Sequence, residues 1–382
     1  MSENNERIEP ETEEKLPVAN ILVAGITGTG KSTLLNAVFG DEVAKTGTGK
    51  PVTEHMDEYQ NPNVPIHIWD TVGLELDSEK TEKSINDIRN TIASKAASEN
   101  HFDCIHAIWY CINSGSNRYQ GAELDFIKKL HAIGVPFIIV LTQCTDIPEK
   151  INQFENEIRK INEEKGMNDI EVVQVCAKDF ETRLGTIPAF GLEDLVDVTL
   201  KKLPEFLKTG FIAAQKVSKE QKRIECEKQI IPFVKEALHG KWFNVPIVNI
   251  FKTKTELHNM MAKIVTMYNS VLEGSDIDQI IEETQPVAED FWNSLINPFN
   301  AAYKERVEKL FEQKLNEGFK IDYRDMTASS KSARMIAYYG FVFIESIEFT
   351  WDELVDKEIK NMEIIVNTIV DRMNNSLKGR RK

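Results

Sequence analysis

The chain has 382 residues, of which 41% are hydrophobic and 28% charged, a composition typical of soluble globular proteins and long enough for two to three domains. A formal charge of −15 disfavours sequence-independent binding to DNA or RNA phosphates, so no nucleic-acid partner is expected. No uncharged apolar run has the roughly 18 residues of a membrane-spanning helix, and the five cysteines form no CxxC pair, which favours reduced thiols in a cytoplasmic protein.

The first part of the chain predicts an α/β domain. Residues 1–16 carry six glutamates and almost no apolar side chains, so they predict a flexible acidic tail. From residue 17 to 205, short apolar runs alternate with amphipathic stretches, which predicts a mainly parallel sheet covered by helices on both faces. The predicted strands are Asn20–Ala24, His55–Tyr59, Ile66–Trp69, Ala107–Ile112, Phe137–Leu141 and Val172–Val175, and the helices between them are Ser32–Phe39, Thr81–Ala97, Ala122–Ile133 and Ile151–Glu164.

The rest of the chain, residues 206–382, predicts an all-α domain, because the strand pattern disappears there. Thr350 followed by Glu353 resembles a capping box, which predicts that a long helix begins at this point. Two further apolar stripes at helical spacing are Leu257, Met260, Met261, Ile264, Val265 and Tyr268, and Tyr303, Val307, Leu310, Phe311 and Leu315.

One phosphate-binding motif stands out. The run from Gly25 to Ser32 fits GxxxxGK[ST], with an apolar strand before it and a helix after it. The glycines allow backbone N–H groups to point at phosphate oxygens, and the helix N-terminus adds partial positive charge. Lys31 would reach the β- and γ-phosphates, and the Ser32 hydroxyl would bind Mg²⁺. The residues expected to contact nucleotide here are Gly25, Thr27, Gly28, Thr29, Gly30, Lys31, Ser32 and Thr33.

Two later segments fit the same site. Asp70 ends an apolar strand in the pattern DxxG, so it can hold Mg²⁺ through water while the Gly73 amide senses a γ-phosphate. Residues 45–53 form a loop of the kind that wraps a nucleotide, and Thr53 is the first choice for the second hydroxyl on Mg²⁺, with Thr48 as the alternative. These threonines could instead only shape turns.

The order of these motifs resembles the small, Ras-like GTPases, and the run from Gly30 to Gly40 resembles their Era-type, translation-factor-related branch. The resemblance covers about 190 residues and extends to bacterial GTPases of that branch that carry a helical extension of unknown function. It implies a doubly wound α/β domain that binds GTP and GDP with Mg²⁺, followed by the helical domain. Lys31, Thr53 and Gly73 would act in catalysis, and Ser32, Thr53 and Asp70 at the metal.

The family reads its base with a loop [NT]KxD, whose carboxylate accepts hydrogen bonds from guanine. Here the loop runs Thr142-Gln143-Cys144-Thr145-Asp146, which allows two registers. With Asp146 as the acceptor, Gln143 and Cys144 replace the Asn and Lys; with Thr142 and Gln143 in those places, Thr145 replaces the Asp. The later segment Cys176, Ala177 and Lys178 resembles the family's SAK loop, whose amide meets guanine O6, and the two loops favour GTP over ATP.

Leu74 stands where Ras-like enzymes have the glutamine that positions water, which predicts slow hydrolysis. The sequence of the phosphate-binding loop from Gly25 to Ser32, called the P-loop below, is similar to that of septin-like and immunity-related GTPases. This similarity implies a nucleotide-dependent homodimer. The helical domain is expected to bind an unknown protein effector. The alternatives are a nucleotide-binding interaction protein without turnover and a self-assembling, dynamin-like GTPase.

The uncharged aromatic run Met335–Ile344 predicts a buried element of the second domain. The alternative is a tip that enters a membrane interface, so a membrane surface is a possible but not a favoured partner. The expected location is the cytoplasm, and the alternative is a peripheral position at a membrane.

Overall fold

The structure is a computed structural model that describes residues 16–40, 50–53, 56–61, 64–71, 78–96, 103–116, 119, 121–183, 185–238, 246–268, 272–293, 328–355 and 362–378. The chain divides into two compact units, Met1–Ser218 and Lys219–Lys382. The boundary thus lies after Ser218, whereas the sequence suggested a domain end at residue 205.

The first unit is an α/β domain. Its strands are β1 (Ala19–Gly25), β2 (Lys50–Thr53), β3 (Met56–Asn61), β4 (Val64–Thr71), β5 (Ala107–Asn113), β6 (Phe137–Thr142), β7 (Glu171–Gln174), β8 (Phe180–Thr182) and β9 (Gly185–Ile187). Its helices are α1 (Lys31–Phe39), α2 (Ser78–Ala96), α3 (Ala122–His131), α4 (Pro148–Glu164), α5 (Leu192–Lys202) and α6 (Glu205–Ala214).

Seven strands form one sheet in the order β2-β3-β4-β1-β5-β6-β7. In sheet order, the neighbouring pairs β4–β1, β1–β5, β5–β6 and β6–β7 are parallel, whereas β2–β3 and β3–β4 are antiparallel. The α/β prediction is therefore confirmed, including the six predicted strands. The sequence reasoning missed β2, which has a proline on an edge strand, and the short exposed β8–β9 hairpin.

Helices cover both faces of this sheet. On one face, side chains of α2, α3 and α4 pack with strand residues such as Ile108 and Ile139 in a single apolar cluster. On the other face, the indole of Trp109 stacks on Phe39 of α1 and donates a hydrogen bond to Thr199 of α5 at 3.1 Å, and Phe39 also meets Phe211 of α6. Because β6 is covered on both faces, all of Phe137–Thr142 is buried, as the uninterrupted apolar run predicted.

The described part of the second unit is helical, with α7 (Lys219–Leu238), α8 (Pro246–Met267), α9 (Gly274–Asn293), α10 (Ala328–Val355) and α11 (Met362–Leu377). Helix α10 contains the aromatic run, and its described side chains from Ile336 to Ile344 are buried, so burial rather than exposure is the state of that segment. The Cβ of a residue at Gly340 would lie 2.7 Å from the Ile230 side chain, which shows how closely α7 and α10 approach.

The predicted helix start at Thr350 is wrong. Thr350 lies inside α10, where it is buried and its hydroxyl donates to the Ser346 carbonyl at 2.7 Å. A threonine that bonds to the carbonyl four residues earlier is satisfied within a helix and does not need to cap one. The stripe from Leu257 to Tyr268 is buried as predicted, whereas the stripe from Tyr303 to Leu315 lies outside the described residues. Among the described helices, none combines the length and the apolar composition needed to cross a bilayer.

Candidate functional site

The candidate site begins where β1 ends and the chain turns into α1. Gly25 has φ 146°, and a Cβ there would lie 2.5 Å from the carbonyl oxygen of Cys111 on the neighbouring strand β5. Gly28, at the tip of the turn, has φ 83°, and a Cβ there would meet nothing within 4 Å. At Gly25 a side chain is excluded both by the lack of space and by the positive φ, whereas at Gly28 only the positive φ disfavours one.

The N-terminus of α1 is open to an anion. Gly30 precedes the helix without a side-chain cap, and the first turn holds no acidic residue. The first backbone N–H groups of a helix have no partner within it, so here they are available to phosphate oxygens. Ser32 and Thr33 in this turn are exposed, whereas Thr29 is buried and its hydroxyl donates to the Ile26 carbonyl at 2.8 Å. Thr27 is exposed on the turn.

Lys31 spans the loop from the inside. Its side chain is only 8% exposed, and its Nζ donates to the carbonyl of Gly25 at 2.9 Å and to that of Ile26 at 3.4 Å. These two carbonyls hold the ammonium group inside the turn that the helix N–H groups border. A positive charge therefore stands beside the place where the geometry favours an anion.

Asp70 lies at the end of β4, directly opposite Val23 of β1 and Asp57 of β3 in the strand registers. Burial raises the pKa of Asp70 to about 6; the charge of Lys31 acts to lower the pKa and that of Asp57 to raise it. Its Oδ1 is buried and accepts no hydrogen bond from the described residues. A carboxylate oxygen without a partner and the exposed hydroxyl of Ser32 are oxygen donors of the type that Mg²⁺ prefers. The residues present therefore fit a magnesium ion.

The backbone of Thr53 lies on the edge strand of the sheet. The residue ends β2, opposite Met56, and β2 lies three strand intervals from β1. At about 4.8 Å per interval, this places it roughly 10 Å from β4, which carries Asp70, and roughly 14 Å from β1, which leads into the P-loop. A role for Thr53 on Mg²⁺ stays a prediction and would require the segment to move. Thr48, Gly73 and Leu74 lie outside the described residues.

The end of β6 and the loop after it contact the P-loop through two side chains. The Thr142 hydroxyl lies within hydrogen-bonding distance of the carbonyls of Thr29 and Ile112, the latter at 3.2 Å. Gln143 has φ 53°, the one non-glycine residue with positive φ in the described chain, and its Nε2 donates to the Gly28 carbonyl at 2.9 Å. The structure thus brings Thr142 and Gln143 together with the P-loop.

Asp146 is engaged elsewhere. Its carboxylate accepts a hydrogen bond from the Ile147 amide at 2.8 Å and pairs with Lys150 at 3.1 Å, at the start of α4. These contacts, the amide first, lower the pKa of Asp146. The carboxylate is therefore ionised and held by its own helix.

The loop after β7 contains a backbone amide that is open to a ligand. The Cys176 amide donates to the Phe190 carbonyl at 3.0 Å, and the Cys176 thiol donates to the Lys178 carbonyl at 3.2 Å. The amide of Ala177, which is half-buried, donates to no acceptor within the described part of the chain. This loop therefore offers the Ala177 N–H group to a ligand carbonyl.

Sequence reasoning missed two residues of the site, Asn113 and Ser114, which follow β5. The Asn113 amide donates to Gln143 Oε1 at 3.2 Å, and the Ser114 hydroxyl donates to the Gln143 carbonyl at 2.8 Å. Both orient Gln143 and so the whole loop. Their position could have identified them, because ligands of open parallel sheets bind at the carboxyl ends of the strands.

Comparison with known proteins finds similarity in the same part of the chain. Residues 20–143 match the family model described as 50S ribosome-binding GTPase. Interferon-inducible GTPase 1 of Mus musculus is 25% identical over 258 residues, which cover 63% of this chain and 56% of that protein. GTPase Era of Yersinia enterocolitica is 24% identical over 179 residues, covering 43% of this chain and 55% of that protein. The chain spans about half the length of these curated relatives.

A solved structure described as a probable GTP-binding protein engB is 18% identical, with a TM-score of 0.34. It covers 48% of this chain and 97% of its own chain.

Proposed function

We propose that the first part of the chain is a P-loop GTPase domain of the Era-like, translation-factor-related type, and that the protein binds GTP and GDP with Mg²⁺ and hydrolyses GTP slowly as a nucleotide switch. The observation that carries the proposal is the phosphate site itself. There an uncapped helix N-terminus, the ammonium of Lys31 and the unpartnered oxygen of Asp70 lie at the carboxyl ends of two adjacent strands.

Each group has a role in phosphoryl transfer. The first N–H groups of α1 bind the phosphate oxygens, and Lys31 neutralises the negative charge that grows on them in the transition state. Ser32 and Asp70 would hold the ion, Ser32 directly and Asp70 through water. When bound, Mg²⁺ supplies charge neutralisation between the phosphates. The base would lie between the loop after β6 and the Ala177 amide.

Hydrolysis by the isolated chain should be slow. Leu74 follows the DxxG motif and cannot orient a water molecule by hydrogen bonding. Turnover far below the roughly 1 to 1,000 per second of typical enzymes is therefore expected. A partner protein or a second copy of this chain would supply the missing group. The helical unit would then transmit the nucleotide state to an effector.

The proposal is tested by titration with fluorescent GDP, a non-hydrolysable GTP analogue and an ATP analogue in Mg²⁺. Guanine nucleotides should bind to the natural protein, and Lys31→Ala should weaken binding by at least about 100-fold, because it removes a charged contact to phosphate. Lys165→Ala changes an exposed lysine at the far end of α4 and serves as the matched control, with no loss expected. Equal binding by the Lys31→Ala variant would contradict the proposed phosphate site.

Turnover measured at increasing protein concentration separates the remaining candidates. Specific activity that rises with concentration supports activation by a second copy, and light scattering should then show dimers with the GTP analogue but not with GDP. Constant low activity supports a separate activating partner. Binding without any phosphate release, at any concentration, would favour an interaction protein that only binds nucleotide, the candidate that Leu74 supports.

A further inference from the structure

We propose that Thr145, rather than Asp146, faces the base. The site would then accept 6-oxopurine nucleotides without distinguishing the substituent at position 2 of the ring. The inference rests on the proposed nucleotide-binding function and names the substrate class of that same site. It follows from the contacts of the five side chains from Thr142, the last residue of β6, to Asp146 in the loop after it.

The first two side chains, those of Thr142 and Gln143, contact the P-loop. The Thr142 hydroxyl lies between the carbonyls of Thr29 and Ile112, and it is 3% exposed. The Gln143 amide bridges the Gly28 carbonyl and the Asn113 side chain. A base must therefore lie beyond these two residues, further along the loop.

The third side chain points into the protein. Cys144 is 1% exposed, and its thiol donates to the Leu141 carbonyl at 3.3 Å. Its backbone amide donates to the Val175 carbonyl at 3.2 Å, which ties this loop to the strand end that leads to Ala177. Cys144 thus sets the spacing between the two loops and leaves no polar group for a ligand.

Thr145 is the next residue, and it is half-buried. Its amide donates to the Gln143 carbonyl at 2.7 Å, which forms a tight turn. Thr145 therefore lies directly after the two residues whose side chains contact the P-loop. Its hydroxyl has no hydrogen-bond partner within the described ranges. It is therefore the first side-chain polar group of the loop that is free to meet a base.

Asp146 lies one residue further and is directed away. Its carboxylate accepts hydrogen bonds from the amide of Ile147, the residue before α4, and from Lys150 in the first turn of that helix. To reach a base, the carboxylate would have to give up its bond with the Ile147 amide and its ion pair with Lys150. The helix dipole also favours the present position of this negative charge.

This arrangement changes what the site can distinguish. A carboxylate can accept hydrogen bonds from guanine N1–H and the 2-amino group at once, because it has two acceptor oxygens. A single hydroxyl can accept from N1–H, which guanine and hypoxanthine share, but it cannot also bind the 2-amino group in the same geometry. The free Ala177 amide suits the oxygen at position 6, which adenine lacks. GDP and IDP should then bind alike, and ADP more weakly.

The test is calorimetric titration of the full chain with GDP, IDP and ADP in Mg²⁺, using the natural protein, Thr145→Asp and Asp146→Asn. For the natural protein, the Kd values of GDP and IDP should agree within about threefold, with ADP at least about tenfold weaker. Thr145→Asp should increase the preference for GDP over IDP by about tenfold or more, because a carboxylate gains a charge-assisted bond to the 2-amino group. Asp146→Asn should change the Kd of GDP by less than about threefold.

The register in which Asp146 contacts the base predicts the opposite result for Asp146→Asn. If Asp146 reads the base, Asp146→Asn should weaken GDP binding by more than about tenfold and improve binding of xanthosine diphosphate, whose 2-oxo group suits an amide donor. Either result would overturn the inference while leaving the proposed function in place. Absence of binding by any nucleotide, with an unchanged circular dichroism spectrum, would overturn the proposed function and the inference together. Asp146→Asn tests the register even if Thr145→Asp fails to fold.

Discussion

The two ends of the candidate nucleotide site are built from different parts of the chain. At the phosphate end, the contacts come from backbone N–H groups and from one lysine held by backbone carbonyls. At the base end, the loop is held by side chains, with Gln143 joining Asn113 to the Gly28 carbonyl. The phosphate end therefore depends on conformation, and the base end depends on the identity of individual side chains.

This difference explains why one end matches a motif and the other does not. A backbone cradle demands glycine at fixed positions, so its sequence pattern is recognisable. A side-chain platform can be rebuilt with another amide or hydroxyl that spans the same gap. Thr142 fits the first position of the pattern [NT]KxD, whereas Gln143 makes its P-loop contact in place of the lysine.

The largest expected effect comes from adding one methyl group at the phosphate end. Gly25→Ala should destabilise the protein by more than about 3 kcal/mol, because its Cβ would meet the Cys111 carbonyl oxygen at 2.5 Å. Gly28→Ala is the matched control and should cost only about 1 kcal/mol, since it strains φ without a clash. Urea denaturation of both variants provides the comparison. Equal losses would show that space at Gly25 is not limiting.

The second prediction concerns Asp70, whose raised pKa determines in which direction the stability of the protein changes with pH. The folded protein holds a proton on Asp70 up to about pH 6, whereas the unfolded chain loses it near 4, so stability falls as pH rises between these values. In metal-free protein, Asp70→Asn should therefore increase the free energy of unfolding by up to about 3 kcal/mol at pH 7.5 and by nothing below pH 4.

The same substitution should remove the dependence of nucleotide affinity on Mg²⁺, which a titration with and without EDTA would measure. A variant that is less stable than the natural protein at pH 7.5 would contradict the assigned cost of burial. A variant that keeps full Mg²⁺ dependence would remove Asp70 from the metal site.

The third prediction tests the link between the two ends. Gln143→Ala and Gln143→Gly both remove the amide that donates to the Gly28 carbonyl, so both should weaken GDP binding by about 3- to 10-fold. Glycine accepts φ 53° without strain, so Gln143→Gly should be more stable than Gln143→Ala by up to about 1 kcal/mol. Thermal unfolding and GDP titration separate the two quantities. Unequal GDP affinities would mean that loop conformation, not the amide, sets binding.

The smallest effect is expected at Lys150. The lysine pairs with Asp146 on the surface, with 59% and 45% of the two side chains exposed, and such pairs contribute little. Lys150→Ala should leave both stability and GDP affinity unchanged within error. A clear loss of GDP affinity would show that the Asp146 side of the loop participates in binding.

Much of the fold was predictable from local pattern. The continuous apolar run from Phe137 to Leu141 predicted a strand covered on both faces, and the structure has it buried between β5 and β7. The alternation of such runs with amphipathic stretches predicted the α/β sheet, because burial on both faces and helical periodicity are properties of neighbouring residues. The motif from Gly25 to Ser32 predicted its own turn for the same reason.

Other features depend on partners that are distant in sequence. Thr350 has the local pattern of a helix start, but the buried aromatic run before it continues α10 through that position. Strand β2 has little strand character of its own and forms because β3 offers it an edge.

The sequence by itself determined the phosphate loop and the layered α/β fold, since those follow from backbone conformation and from the periodicity of adjacent residues. Only the tertiary structure brought Thr142 and Gln143 to the P-loop, because their hydrogen bonds go to carbonyls of residues 28 and 29, more than a hundred positions earlier. A hydrogen bond between segments so far apart leaves no periodic pattern in the chain. It exists only once β1 and β6 have been placed on either side of β5 in one sheet.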